Sequence, residues 1–147
     1  MTSAKNFFTK PQKDEIKKAI LMAELDTSGE IKVHIENNCD DEVLDRAAYW
    51  FSKLKMDKTE LRNGVLFYLA VKSKKFAIIG DEGINVKVPK DFWDEVKEEM
   101  KTHFVNQEFT EGLALGIQKA GKLLKKHFPH HSDDINELSD EISFGKN

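Results

Sequence analysis

Apolar residues recur along the chain with two different periods, and the switches between them mark the elements. Ile16, Ala19, Ile20 and Ala23 fall three and four residues apart, the spacing of one helix face. Thr9-Lys10-Pro11-Gln12 comes just before. Thr9 can accept from the backbone at Gln12, Gln12 can reach back to Thr9, and Pro11 suits a first turn whose N–H groups lack partners anyway. The pattern predicts a helix from Thr9 to about Leu25, stopped by Ser28-Gly29. Over residues 30–36 the period falls to two. Ile31, Val33 and Ile35 point one way and Lys32, His34 and Glu36 the other, which predicts a half-exposed strand near a sheet edge. Asn37-Asn38-Cys39-Asp40 reads as a turn, with Asp40 or Asp41 capping a second helix. That helix turns Val43, Leu44, Ala47, Ala48, Phe51 and Leu54 inward.

Asn63-Gly64 opens a run over residues 65–71 that is apolar on both faces, the mark of a central strand. Lys72-Ser73-Lys74-Lys75 turns the chain back, so residues 76–79 return antiparallel as a hairpin. Beyond Gly80-Asp81-Glu82-Gly83, the residues Ile84, Val86 and Val88 alternate as a short strand or extended segment. Pro89-Lys90-Asp91 starts a third helix with Phe92, Val96, Met100 and Phe104 inward. Thr110 caps a fourth, running to about His127, whose Gly112, Gly116 and Ala120 form a small-residue stripe. Each glycine in a helix costs about 1 kcal/mol against alanine, so close packing on a neighbouring helix is the compensation expected. Pro129 ends the helix. Residues 130–147 are polar and acidic without sustained periodicity, and read as a tail or loosely packed arm behind one domain over 10–129.

This order has a geometric consequence. Two neighbouring strands joined by a helix form a right-handed parallel crossover, so their starts share one rim of the sheet. The third strand, antiparallel to the second, finishes at that rim. The loops at 24–29, 63–64 and 80–83 should therefore converge. They carry Glu24, Asp26, Asn63, Asp81 and Glu82, with Arg62 the nearest counter-charge. Glu24 and Asp26 also stand at a helix carboxyl end, where the dipole disfavours anions by about 0.3–1 kcal/mol each. A hard cation would relieve this, and oxygen donors without His or Cys suit Ca²⁺ or Mg²⁺. Gly-Asp-x-Gly is equally the pattern of a tight turn.

Composition narrows the classes. A content of 39% hydrophobic and 33% charged residues over 147 positions fits one soluble globular domain. A net charge of −3 argues against nucleic acid as a partner. The longest apolar run, 65–71, is too short to span a bilayer. No apolar stretch precedes Lys10-Pro11 as in a secretory leader, and Cys39 is the only cysteine. The expected location is the cytoplasm.

Four stretches, "AELDTSGEIKVHI", "NGVLFYLAV", "FAIIGDEGI" and "NQEFTEGLALGIQKAGKLL", resemble the TPM domain family in their order and spacing. That family is named for thylakoid-lumen, photosystem-repair and cholinergic-receptor-associated members. The resemblance spans roughly residues 10–129. It implies an α/β three-layer sandwich, a mixed sheet with helices on both faces. It also implies an acidic cleft holding a divalent cation, and the acid-phosphatase activity attributed to plant members. Asn63, Gly64, Gly80, Asp81 and Gly83 match the family pattern, as do Glu24 and, less closely, Glu82. Where many members carry a leader and a membrane anchor, this chain has "HHSDDINELSDEISFGKN".

Other chemistries fit poorly. A cysteine-phosphatase loop needs five residues between Cys and Arg, and Cys39 and Arg46 enclose six, with Asp40, Asp41 and Glu42 opposing a thiolate. The Walker A and Gly-x-Ser-x-Gly motifs are absent. His127, His130 and His131 suit a solvated helix end better than a metal site, and Lys122, Lys125 and Lys126 complement the same helix terminus. Trp50, Trp93, Phe104 and Phe109 read as core or cleft wall. The expectation is a binding or regulatory module with a Ca²⁺ or Mg²⁺ site at Asp81, Glu24, Asn63, Glu82 and Asp26, meeting a protein partner through the cleft or the tail. The alternative is a metal-dependent phosphatase acting on phosphate monoesters.

Overall fold

A computed structural model describes residues 4–130 and 137–145. In chain order the elements are helices α1 (Ala4–Phe7) and α2 (Lys10–Asp26), strand β1 (Glu30–Glu36), helix α3 (Val43–Lys53) and a 3₁₀ turn (Met56–Lys58). Strands β2 (Gly64–Ala70) and β3 (Lys75–Gly80) come next, then helices α4 (Glu82–Asn85), α5 (Asp94–Phe104) and α6 (Phe109–Leu124), and a two-residue strand β4 (Ser143–Phe144).

The sheet order is β3-β2-β1-β4. β1 and β2 are parallel, with Glu30 opposite Gly64, and β3 returns antiparallel with Gly80 opposite Val65. The crossover and hairpin are those expected. One face of the sheet, carrying Ile31, Val33, Val65 and Phe67, packs under α2, α5 and α6. The other, carrying Leu66, Tyr68 and Ala77, packs under Ala47, Phe51 and Met56 of α3 and the 3₁₀ turn. The result is an α/β sandwich with helices on both faces of a mixed sheet.

Local chemistry sets the ends of α2. Thr9 and Gln12 form the capping box, at 3.3 Å for Gln12 N–H to Thr9 Oγ1 and 2.8 Å for Thr9 N–H to Gln12 Oε1. The small stripe on α6 does what its spacing predicts. A Cβ on Gly112 would lie 2.5 Å from the Phe104 ring, and one on Gly116 2.6 Å from Met100 Cγ, so any side chain at either position would force these residues of α5 to shift.

Several expectations need correction. β1 is not half-exposed, since all seven of its residues are buried. Lys32, His34 and Glu36 are covered by α3 and by residues 137–145, which form an ordered edge rather than a loose arm. There Ser143 lies opposite His34, Gly145 N–H donates to Ile35 at 2.9 Å, and Lys32 Nζ donates to the carbonyls of Ser139 (3.2 Å) and Glu141 (3.0 Å). Lys17 pairs with Glu141 from α2. α3 starts without a side-chain cap, its N-cap residue being Glu42, and Leu44 and Ala48 face solvent. Residues 84–88 are not a strand. Asp81 accepts from Glu82 N–H at 2.7 Å and starts the short α4, which buries Ile84, while Val86 just past its end is exposed. α5 begins at Asp94 rather than at Pro89, and α6 at Phe109, with Thr110 buried inside it rather than capping it. α6 ends at Leu124 and a turn completes the run to Phe128. His131 lies outside the described residues.

Candidate functional site

The rim where β1 and β2 begin is tied together by Asn63. Its carbonyl accepts from Glu30 N–H at 3.2 Å, and its side-chain amide donates to the Ser28 carbonyl at 3.2 Å. Asp81 joins from the end of β3, its N–H donating to Gly64 at 2.9 Å. The loops at 24–29, 63–64 and 80–83 therefore share one rim.

Asp81 is 6% exposed and is gripped by Arg62 through two nitrogens, Nε to Oδ2 at 2.8 Å and Nη2 to Oδ1 at 3.0 Å. Glu82 reaches the same guanidinium more loosely, at 3.6 Å. The hydrogen bond to Asp81 is the main reason the Arg62 pKa rises, against burial, and the charges of Asp81, Glu82 and Asp57 add to it. Asp57 Oδ1 is buried with no hydrogen-bond partner among the described residues. Sequence reasoning passed over Asp57; the available signal was a carboxylate in the polar loop just before Asn63.

The backbone holds this arrangement under constraint. Arg62 has a φ of 51°, uncommon for a residue with a side chain. Its carbonyl accepts from Gly83 N–H at 2.9 Å. A Cβ on Gly83 would stand 2.2 Å from the Leu61 carbonyl oxygen and 2.6 Å from that of Arg62, so only glycine lets α4 meet this loop.

Glu24 lies on the same rim but on the far side of β1. The Glu30 N–H points toward β2, so the next one, from Ile31, points to the other edge, where Glu24 Oε2 accepts it at 3.3 Å. Burial, then a hydrogen bond to Asp140 and its charge, push the Glu24 pKa up to about 9. Glu30, in turn, is raised to about 7 by burial and by a hydrogen bond to Glu137, and it accepts from Leu138 N–H at 2.6 Å. Burial lowers the Lys32 pKa, opposed by the charges of Asp140, Glu141 and Glu24. Asp26 is half-buried at the end of α2, with no ion pair among the described residues. The structure thus brings Asp81, Glu82 and Asn63 together with Arg62, and turns Glu24 toward Asp140 on the other side of β1. Among the described residues, no three His, Cys, Asp or Glu side chains stand close enough together to hold a metal ion.

A second polar cluster sits between β1 and α3. Arg46 binds Glu36 through two bonds of 2.8 Å, and the Tyr68 hydroxyl donates to Glu36 at 2.6 Å. Burial would raise the Glu36 pKa, but the bonds from Arg46 and Tyr68 outweigh it and hold it below the usual range. His34 stacks on Trp50 at 3.9 Å and shares a 2.8 Å bond with Ser143, while burial drops its pKa to about 4. Arg46 is thereby committed to Glu36, and Cys39 is buried beneath α3, which removes the cysteine-phosphatase geometry. His127 packs edge-on against Phe92, and Trp93 belongs to the main core.

A four-stranded mixed sheet between helical layers, with a Gly-Asp-x-Gly turn closing one rim, defines a class of small α/β sandwich domains. The chain belongs to the TPM domain family, whose model matches residues 1–123. It is 47% identical to the BA42 protein from the psychrophilic bacterium Bizionia argentinensis, over 99% of this chain and 100% of that one, with a TM-score of 0.91. The fold also matches the N-terminal domain of a protein from P. gingivalis, at TM-score 0.70 and 16% identity over 84% of this chain and 81% of that one. A third match is the N-terminal domain of the cg2496 protein from Corynebacterium glutamicum, at TM-score 0.61 and 11% identity over 96% and 82%. No curated protein matches the chain at a significant level. No helix among the described residues is long and apolar enough to cross a membrane.

Proposed function

We propose that this TPM domain is a binding module whose Asp81 rim takes a divalent cation, Ca²⁺ or Mg²⁺, in competition with Arg62. One observation carries the reading: three carboxylates, those of Asp81, Glu82 and Asp57, act on a single guanidinium, and Asp57 keeps a buried oxygen with no hydrogen-bond partner among the described residues. These carboxylates outnumber the guanidinium by two charges, which a dication neutralises. The donors are all oxygen, the chemistry of a hard cation. Asp81 and Glu82 would ligate the ion, with Asn63 beside them, water completing the shell and Asp57 contributing its charge from nearby, since no three such side chains converge among the described residues. The ion would order the loops at 57–63 and 81–83 as a surface for a protein partner. Because Arg62 already satisfies Asp81, binding is weak, with a Kd on the order of 10⁻⁴ M or higher.

The test is a thermal melt across Ca²⁺ and Mg²⁺ titrations of wild type, Asp81→Asn, Asp57→Asn and Arg62→Gln. Saturation at a hundredfold excess over Kd adds about 2.7 kcal/mol, which corresponds to several degrees for a chain of this length. Asp81→Asn and Asp57→Asn should abolish the gain, and Arg62→Gln should enlarge it by removing the competitor. Equal gains in wild type and both Asn variants would place the cation elsewhere and end this reading. The same samples are assayed with a phosphate monoester. Turnover by wild type that is lost in Asp81→Asn would establish the phosphatase alternative in place of a binding module.

A further inference from the structure

At the opposite end of the sheet from Asp81, a cavity of about 220 Å³ opens between the β2–β3 hairpin and the corner joining α5 to α6. Five residues of β2 separate it from the Asp81 rim, about 17 Å at the usual rise per residue. Its floor is Leu69, which is 1% exposed and pairs across the hairpin with Phe76. Its walls are phenyl rings braced against one another, Phe76 edge-on to Phe104 at 5.0 Å and Phe104 beside Phe109 at 5.5 Å. Rings held this way cannot collapse to fill the space. The corner turns through Gln107 at a φ of 61°, and leaves Val105 at the mouth 70% exposed.

The mouth is cationic. Lys74, on the hairpin turn, and Lys101, in the last turn of α5, both line the cavity. Neither ammonium group makes a hydrogen bond or ion pair among the described residues. Glu108, the acid at the corner, is occupied by His103 at 2.9 Å. An apolar aromatic slot with two ammonium groups at its entrance matches a ligand with an apolar tail and an anionic head. At about 220 Å³ the space is smaller than the roughly 300–1,000 Å³ of pockets for drug-sized ligands, which restricts it to a single short tail.

We propose that this cavity binds a free monocarboxylate of medium chain length, its tail among Phe76, Phe104 and Phe109 and its carboxylate between Lys74 and Lys101. Burial of the tail supplies the attraction, and the lysines select the acid over the neutral alcohol. The site is independent of the Asp81 rim and of any cation there.

Octanoate is titrated into the full chain and followed by amide and methyl NMR, with octanol and butyrate as controls. The expected result is saturable shifts centred on Leu69, Phe76, Val105 and Phe109. Octanol should bind at least several-fold more weakly and butyrate not measurably. Lys74→Gln/Lys101→Gln changes two exposed side chains and should leave the fold intact, as checked by its amide spectrum. It should weaken octanoate at least tenfold and leave octanol unchanged. The proposal is overturned if no saturable shifts appear at these residues, or if the double variant binds octanoate as wild type does. Shifts at the same residues that follow protein concentration without ligand would also overturn it, since the face would then join two copies of the chain.

Discussion

Arg62 and Asp81, 19 residues apart in the chain, close the rim of the sheet as a two-point ion pair at 2.8 and 3.0 Å. The pair depends on Gly83, whose missing side chain lets the loop carrying Arg62 lie directly against α4. Gly83→Ala would press a methyl group onto two backbone carbonyl oxygens, which cannot rotate away as a side chain can. The expected cost is that of overpacking, about 1–3 kcal/mol. Urea denaturation of the variant should show a lower midpoint with an unchanged slope. An unchanged midpoint would mean that the Arg62 loop is free to move.

Glu36 is fully buried, so its partner Arg46 should matter more than a surface cation does. Removing one member of a buried pair costs about 3–5 kcal/mol, because a charge is left without compensation. Arg46 is itself partly exposed, which puts Arg46→Ala near 3 kcal/mol, at the lower end of that range. Adding Glu36→Gln should recover part of the loss, since it removes the buried charge that Arg46 no longer balances. A double-mutant cycle measures this, and additive losses would mean that the two residues act separately.

The alkaline side of the stability profile should belong to Glu24. Its pKa is about 9 in the folded chain against an ordinary 4.5, so between those values the folded state keeps a proton that the unfolded chain releases. The stability from that proton is fully present below pH 4.5 and is lost as pH rises toward 9, at no more than about 1.4 kcal/mol per pH unit. Glu30 adds a loss of the same sign up to about pH 7. His34 has the opposite sign: its folded pKa of about 4 lies below the ordinary 6.5, so its contribution disappears as pH falls between those values. Glu24→Gln should be more stable than wild type at pH 8 by about 1–2 kcal/mol and no more stable at pH 4.5. Melts of both proteins at matched pH cancel the His34 contribution. A difference that does not change with pH would remove Glu24 from the account.

Cys39 is 3% exposed and packs with Leu66, Tyr68 and Phe51 beneath α3, its thiol directed to the Asp41 carbonyl at 3.4 Å. A thiol-specific reagent should therefore label it slowly in the folded protein and rapidly in denaturant. Any activity should survive Cys39→Ser. Fast labelling of the native protein, or loss of turnover with the fold retained, would contradict this burial.

The features legible in the sequence are those whose cause is local or periodic. Thr9 and Gln12 announce the start of α2 because the capping box closes within four residues. The run at 65–71 announces a central strand because both faces are apolar, and the lysine-rich turn after it fixes the hairpin. Gly112 and Gly116 announce close helix packing through a spacing of four. The crossover rule then suffices to bring Asn63 and Asp81 to one rim. Alternation in β1 misled for a physical reason: Lys32, His34 and Glu36 look like a solvent face, yet each is buried with a polar partner supplied from elsewhere in the chain.

Those partners are what only the tertiary structure decided. The sequence determined that Glu24, Asp81 and Asn63 reach one rim of a mixed sheet. Which carboxylate meets which counter-group depended on hydrogen-bond direction along β1, which turns the Ile31 N–H and Glu24 toward Asp140 rather than toward Asp81. It depended equally on the close contact at Gly83 that holds Arg62 over Asp81. Strand direction follows from the order of elements, but ion pairs form between side chains whose separation is set by packing, and packing is a property of the whole fold.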